Sequence, residues 1–299
     1  MEGPPDDRGV NFRSLEELFS LCEQRSDKTE YTLTLSYLEI YNETVRDLLD
    51  DTPRGRGGPG GAEEKKLDVR QTADGNVVPG LTEVPVTNIE EVMSLMARGT
   101  DNRAVGSHDM NEHSSRSHSI MTINLVGRNI QDAGTVRSKL HLIDLAGSER
   151  VSKTDATGER LKEAQNINKS LSALGDVINA LSGKKAAHVP YRNSKLTFLL
   201  QDSLAGNSKV MMFCNFSPAS YNCAETMCSL NFAARCRAVE LGQAKKGSEG
   251  AEVAKLKRMV AKLTEKLNGG GAEDKSSKSG RASLTSPQRG TDSPARGKR

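Results

Sequence analysis

The run Leu140-His141-Leu142-Ile143-Asp144-Leu145-Ala146-Gly147-Ser148-Glu149 ends an apolar stretch in a carboxylate and places a glycine three residues later. In phosphoryl-transfer proteins an Asp at the carboxyl edge of a strand reaches Mg²⁺ or its water shell. A glycine in the following turn has no Cβ, so its backbone N–H can approach a phosphate. Taken alone, Asp-x-x-Gly fits a plain strand-to-turn junction equally well. A second polar run, Asn111-Glu112-His113-Ser114-Ser115-Arg116-Ser117-His118, lies upstream, just before another strand-like stretch. Adjacent hydroxyls suit phosphate and Mg²⁺, and an Arg can pair with a carboxylate as a latch. A Ser-rich loop is the simpler alternative. His113 and His118 stand five apart and share a helix face poorly, which argues against zinc.

The elements that must position these runs are legible from periodicity. Residues 12–22 repeat apolar side chains at helical spacing, with Ser14 and Glu17 as a capping box. Residues 31–37 alternate as a strand that runs on to Tyr41, and Asn42-Glu43 begins a short amphipathic segment with Val45, Leu48 and Leu49. Residues 52–66 are rich in Gly, Pro and charge and read as a surface insertion. Short strands are expected at 67–70, 77–78 and 83–86, a helix from Asn88, and longer strands at 120–126 and 139–145. A long helix over 166–181 carries Ile167, Leu171, Leu174, Ile178 and Leu181 as one stripe. A shorter helix is expected at 196–204. The nearly all-apolar 210–216 reads as a central strand covered on both faces, and 224–239 as a final amphipathic helix.

Strands alternating with helices predict an α/β layered domain over residues 1–241. Residues 242–268 form a linker with a short amphipathic segment, in which Val253, Leu256, Val260, Leu263 and Leu267 fall at 3-4-3-4 spacing. Two heptads are too short for a stable coiled coil alone. They serve either as the stub of a longer packing helix or as a surface segment. Residues 269–299 form a basic Ser/Pro/Gly tail, expected to be disordered, with two Ser-Pro pairs at Ser286 and Ser293 as possible phosphorylation sites.

The chain has 299 residues and a net charge of +3, of which the tail from Gly269 supplies +4 through seven basic and three acidic residues. A balanced body with a basic tail does not describe a dedicated nucleic-acid binder. The five cysteines lack CxxC spacing, so they read as reduced, mostly buried thiols of an intracellular protein. No apolar run approaches the ~20 residues of a membrane span.

With these motifs in view the chain resembles the motor domain of kinesins. Residues 111–118 resemble the kinesin switch I motif and 144–149 the switch II motif. The run from Arg150 to Leu181 resembles loop 11 and the relay helix, "HVPYRNSKLTFLLQDSLAGNSK" resembles the following microtubule-binding segment, and "YLEIYNETVRDLL" resembles an earlier family strand and turn. The resemblance is collinear over about 1–241. It implies a P-loop-NTPase-like α/β fold with a central sheet flanked by helices. It also implies that Ser115 and Asp144 arrange Mg²⁺ and its waters, that Ser114 touches the γ-phosphate side, and that Gly147 senses that phosphate. Arg116 and Glu149 would close as a salt bridge that positions the lytic water, and Asn111 would order switch I. The relay helix would convert closure into a small shift. Arg150, Lys153, Arg192 and Lys195 match positions that face tubulin, whose acidic surface suits a weak, salt-sensitive contact. Asp155 replaces a small residue common there and dilutes the patch.

One expected part is missing from the sequence. G-x-x-x-x-G-K-[ST] does not occur; Ser182-Gly183-Lys184-Lys185 fails because position 178 is Ile. In kinesins a Met-Glu-Gly like Met1-Glu2-Gly3 follows that loop, so the chain is read as beginning where the P-loop ends, with its first strands absent. The expectation is exposed apolar sheet edges, a marginal fold, and no tight binding or turnover of ATP by this chain alone. Residues 237–242 resemble the kinesin-14 class, whose motor is C-terminal and moves toward the minus end, with any dimerising stalk upstream. The readings that follow are part of an ATP-driven microtubule motor of the cytoplasmic cytoskeleton, a microtubule-binding module without ATPase activity, or a non-functional fragment.

Overall fold

A long strand, β1 (Thr29–Tyr41), is the axis of the sheet in the computed structural model, which describes residues 1–4, 6–50, 66–72, 75–105, 115–131, 134–148, 159–183, 188–205, 208–239 and 259–260. Its side chains alternate between two apolar layers, as the two-residue period of a strand requires. Leu33, Leu35 and Tyr37 face one cluster and Leu38 and Ile40 the other. From Tyr37 to Ile40 the strand is buried on both faces.

All described pairings are antiparallel. One edge of β1 is shared by β2 (Thr44–Asp47) and β5 (Val84–Val86). The other edge pairs along its length with β6 (His118–Asn129), from Thr29↔Asn129 to Ile40↔His118. Outside β6 lies β7 (Thr135–Asp144). A separate hairpin joins β3 (Arg70–Thr72) to β4 (Gly75–Val77). The β1–β2 turn is a two-residue loop in which both Asn42 (φ 51°) and Glu43 (φ 57°) adopt positive φ. Such a left-handed pair matches the twist of antiparallel strands. The amphipathic segment expected to begin at Asn42-Glu43 is therefore the hairpin turn followed by the strand Thr44–Asp47.

Helices cover both faces. Helix α1 (Val10–Gln24) and α2 (Ile89–Val105) seal the cluster of Leu15, Leu35, Leu48, Val92 and Ile123. Helix α3 (Glu159–Ser182), α4 (Lys195–Leu199) and α5 (Gln201–Leu204) seal the other, which includes Ile120, Leu174, Val177, Ile178 and Leu196. The helix expected at 196–204 is thus split at Leu200. The Ser14–Glu17 capping box does not form: the N-cap is Gly9 and α1 begins at Val10, so both side chains lie inside the helix. By contrast, Ser194 and Thr197 do form a reciprocal capping box at the start of α4.

The strand expected at 210–216 is not formed. That segment forms no regular structure, with Met211 78% and Phe213 59% exposed. A central strand needs a partner on each side, and no described strand runs beside this one. The outer edge of β7 likewise has no described partner strand. Helix α6 (Cys223–Arg237) follows, with no fully buried residue; Phe232 and Cys236 pack partly on the α3 layer. The cysteines are less buried than composition implied: Cys223 and Cys228 on α6 are exposed, and Cys22, Cys214 and Cys236 are half-buried.

Residues Met1–Ala251 form one compact unit and Glu252–Arg299 another. Of the second unit only 259–260 are described, and both are exposed. The insertion, most of the linker and the tail lie outside the described residues. No described helix is long and apolar enough to cross a membrane.

Candidate functional site

The β6–β7 pairing builds the site. Because Ser119 lies opposite Asp144, the chain entering β6 and the chain leaving β7 emerge side by side. Residues 115–117 and 145–148 are therefore neighbours, although about thirty positions separate them. The Gly147 backbone N–H donates to the Ser115 carbonyl at 2.8 Å. The preceding N–H, on Ala146, donates to His118 Nδ1 at 3.0 Å. Ser115 and Asp144 are exposed, while Arg116 and Gly147 are half-buried.

His118 is 2% exposed. With its Nδ1 lone pair accepting from Ala146, the ring proton sits on Nε2, which donates to Ser170 Oγ on α3 at 2.7 Å. Ser170 in turn donates to the Ile167 carbonyl at 2.8 Å. Burial, reinforced by the Arg103 cation, pushes the imidazole down to about 4, so it is neutral at neutral pH. Period two explains its placement: two residues before Ile120, His118 faces the same α3 layer.

Beneath this lies a charged cluster. Arg103 of α2 donates to Ser117 Oγ (3.0 Å) and to the Ser117 carbonyl (2.9 Å). Its guanidinium stands 3.7 Å from the Glu39 carboxylate, which is 1% exposed and also meets Arg46 at 3.5 Å. Two cations about one buried carboxylate hold the start of β6 against β1 and α2.

The expected track-facing residues lie elsewhere. Arg192 is exposed on the 3-10 turn Tyr191–Asn193, stacks over Phe198 at 5.3 Å, and donates to Gln71 Oε1 at 3.2 Å. Lys195 begins α4, with its ammonium paired to the Asp68 carboxylate. That hydrogen bond is the main reason the Asp68 carboxyl lies below the usual range. Asn111, Ser114, Glu149, Arg150 and Lys153 lie outside the described residues, and so does the Arg116–Glu149 pairing. Sequence reasoning missed His118, Ser170, Arg103 and Glu39. A signal existed for Ser170, which interrupts the apolar stripe of α3 at a buried position between Ile167 and Leu174.

The donor set offered by Ser115 and Asp144 is hydroxyl and carboxylate oxygen, the hard chemistry Mg²⁺ prefers, and both groups are exposed at the same end of the sheet. A metal there fits these residues.

The kinesin motor domain family matches residues 1–239. "Kinesin-like protein KIN-14R" of Arabidopsis thaliana is 52% identical over 263 residues, 88% of this chain and 23% of that protein. The chain thus spans less than a third of the curated relatives it first matches. The solved structure of a fast kinesin superposes with a TM-score of 0.71 at 44% identity, covering 83% of this chain and 67% of that one. A kinesin dimer with AMP-PNP in complex with a microtubule gives 0.72 at 36% identity, over 83% and 69%.

Proposed function

Because the chain belongs to the kinesin motor domain family, we propose that it is part of an ATP-driven microtubule motor of the minus-end-directed kinesin-14 class. In this reading it carries the phosphate-responsive switches and the track-binding face. The observation that carries the reading is the hydrogen bond from Gly147 to Ser115, which joins the two segments that would meet at the γ-phosphate. Ser115 and Asp144 would hold Mg²⁺, directly or through water. Bound Mg²⁺ and ATP would supply the phosphoryl group and neutralise its charge. The Gly147 N–H is engaged with Ser115 here, so serving a phosphate requires it to exchange one acceptor for another. That exchange would move 145–148, and α3 with it. Asn111, Ser114, Arg116 and Glu149 would complete the switch contacts, and Arg150, Lys153, Arg192 and Lys195 the basic contact to tubulin.

A second reading is favoured by one sequence fact: residues 1–299 contain no G-x-x-x-x-G-K-[ST]. Without that cradle of backbone amides and Lys, the chain by itself would bind microtubules independently of nucleotide. Co-sedimentation with microtubules across a salt series, with and without Mg·ATP, tests both. Salt-sensitive pelleting supports the track-binding face, and an ATP effect on it separates the motor from the passive module. No pelleting at low salt defeats both.

A further inference from the structure

We propose that His118 is a positioning residue that couples helix α3 to the Ala146–Gly147 backbone through Ser170. The inference rests on the switch reading above and adds a route to it. Three elements meet at one buried ring: β6 contributes the imidazole, the 145–148 segment donates to Nδ1, and α3 accepts from Nε2. Each nitrogen has one partner, so the tautomer is set by the two ends together. A shift of α3 that withdraws Ser170 leaves a buried N–H without an acceptor, which disfavours the shift unless the ring and Ala146 move too. The Ser170 hydroxyl is itself held by the Ile167 carbonyl one turn back, which fixes the direction of its lone pair toward the ring. Arg103 and Ser117 brace the neighbouring backbone, and the imidazole bridges its two partners beside them.

The imidazole is the hydrogen-bonded link described between Ser170 and Ala146, so a change at one is expected to be felt at the other through the ring. The test is hydrogen exchange of the Ala146 and Gly147 amides in the full chain, read residue by residue. Ser170→Ala is expected to speed exchange at both by about three- to tenfold, the loss of roughly one hydrogen bond. His118→Phe, which keeps a ring and removes both bonds, should speed it at least as much. In the His118→Phe background, adding Ser170→Ala should then change nothing further. Thermal melts of each variant identify any general loosening, which would speed exchange in β1 and β6 as well. Ser170→Ala exchange equal to the parent, or additive effects in the double variant, would overturn the proposal. Because exchange needs neither nucleotide nor microtubules, failure of the motor reading would appear separately, as absent co-sedimentation with the coupling intact.

Discussion

Glu43, at the tip of the β1–β2 hairpin, accepts a hydrogen bond from the Lys195 backbone N–H at 3.0 Å and so caps helix α4 from a distant part of the chain. Its neighbour Asn42 bonds Asn166 of α3. One turn with two left-handed residues thereby fixes helices α3 and α4 to the central strand. Glu43→Ala should cost about 1–2 kcal/mol, because it loses the cap and keeps the unfavourable φ. Glu43→Gly should cost less, since glycine relieves the positive φ. Chemical denaturation of the two variants checks the order; the reverse order would show that the left-handed φ at position 43 costs little, and two variants as stable as the parent would show that the cap contributes little.

The pairing of Lys195 with Asp68 makes a prediction about affinity for microtubules. Asp68→Asn frees the ammonium and should tighten low-salt co-sedimentation by roughly two- to fivefold, while Lys195→Ala weakens it by a similar factor. Both effects should vanish as salt rises. An unchanged affinity in both variants would remove Lys195 from the track contact.

Stability should fall in mild acid. His118 titrates at about 4 in the fold against about 6.5 when exposed. His141 on β7, bonded to Thr122 at 2.8 Å, is likewise held down to about 4 by burial first and Lys139 second, against an opposing Asp202. Above pH 6.5 both rings are neutral folded or unfolded and contribute nothing. Between 6.5 and 4 only the unfolded chain gains their protons, so stability declines and levels off below 4. For His118 the loss amounts to about 3 kcal/mol. Denaturation midpoints at pH 7.5, 5.5 and 4.5 in the parent and in His118→Phe check this, the variant showing a shallower decline.

The exposed apolar run at 210–216 should govern solubility. Met211→Lys with Phe213→Lys is expected to reduce aggregation of the chain without lowering its melting temperature, because neither side chain is buried. Light scattering during a thermal ramp is the measurement. A lowered melting temperature would mean that these residues pack in solution.

Phosphate release by the chain with saturating microtubules should equal that of microtubules alone, since the Gly-Lys cradle is absent from its 299 residues. Turnover above that background would show that other residues hold the triphosphate.

Much of the fold follows from local pattern. The alternation of Leu33, Leu35 and Tyr37, the stripe of α3 and the polar runs ending at His118 and Glu149 are visible without coordinates, because they reflect two- and 3.6-residue periods and side-chain chemistry. Family membership was legible for the same reason, since the motifs are contiguous. Partnership was not. The apolar pattern of 210–216 specifies a strand only where neighbours exist, and only the tertiary structure shows that none of those described pairs with it. The His118–Ser170 bond spans 52 positions, and the capping of α4 by Glu43 spans 152. Such contacts depend on the register of β6 against β7 and on the left-handed turn at Asn42–Glu43. Sequence determined which residues could do chemistry; long-range packing decided which of them meet, because a hydrogen bond depends on position in space and not on spacing along the chain.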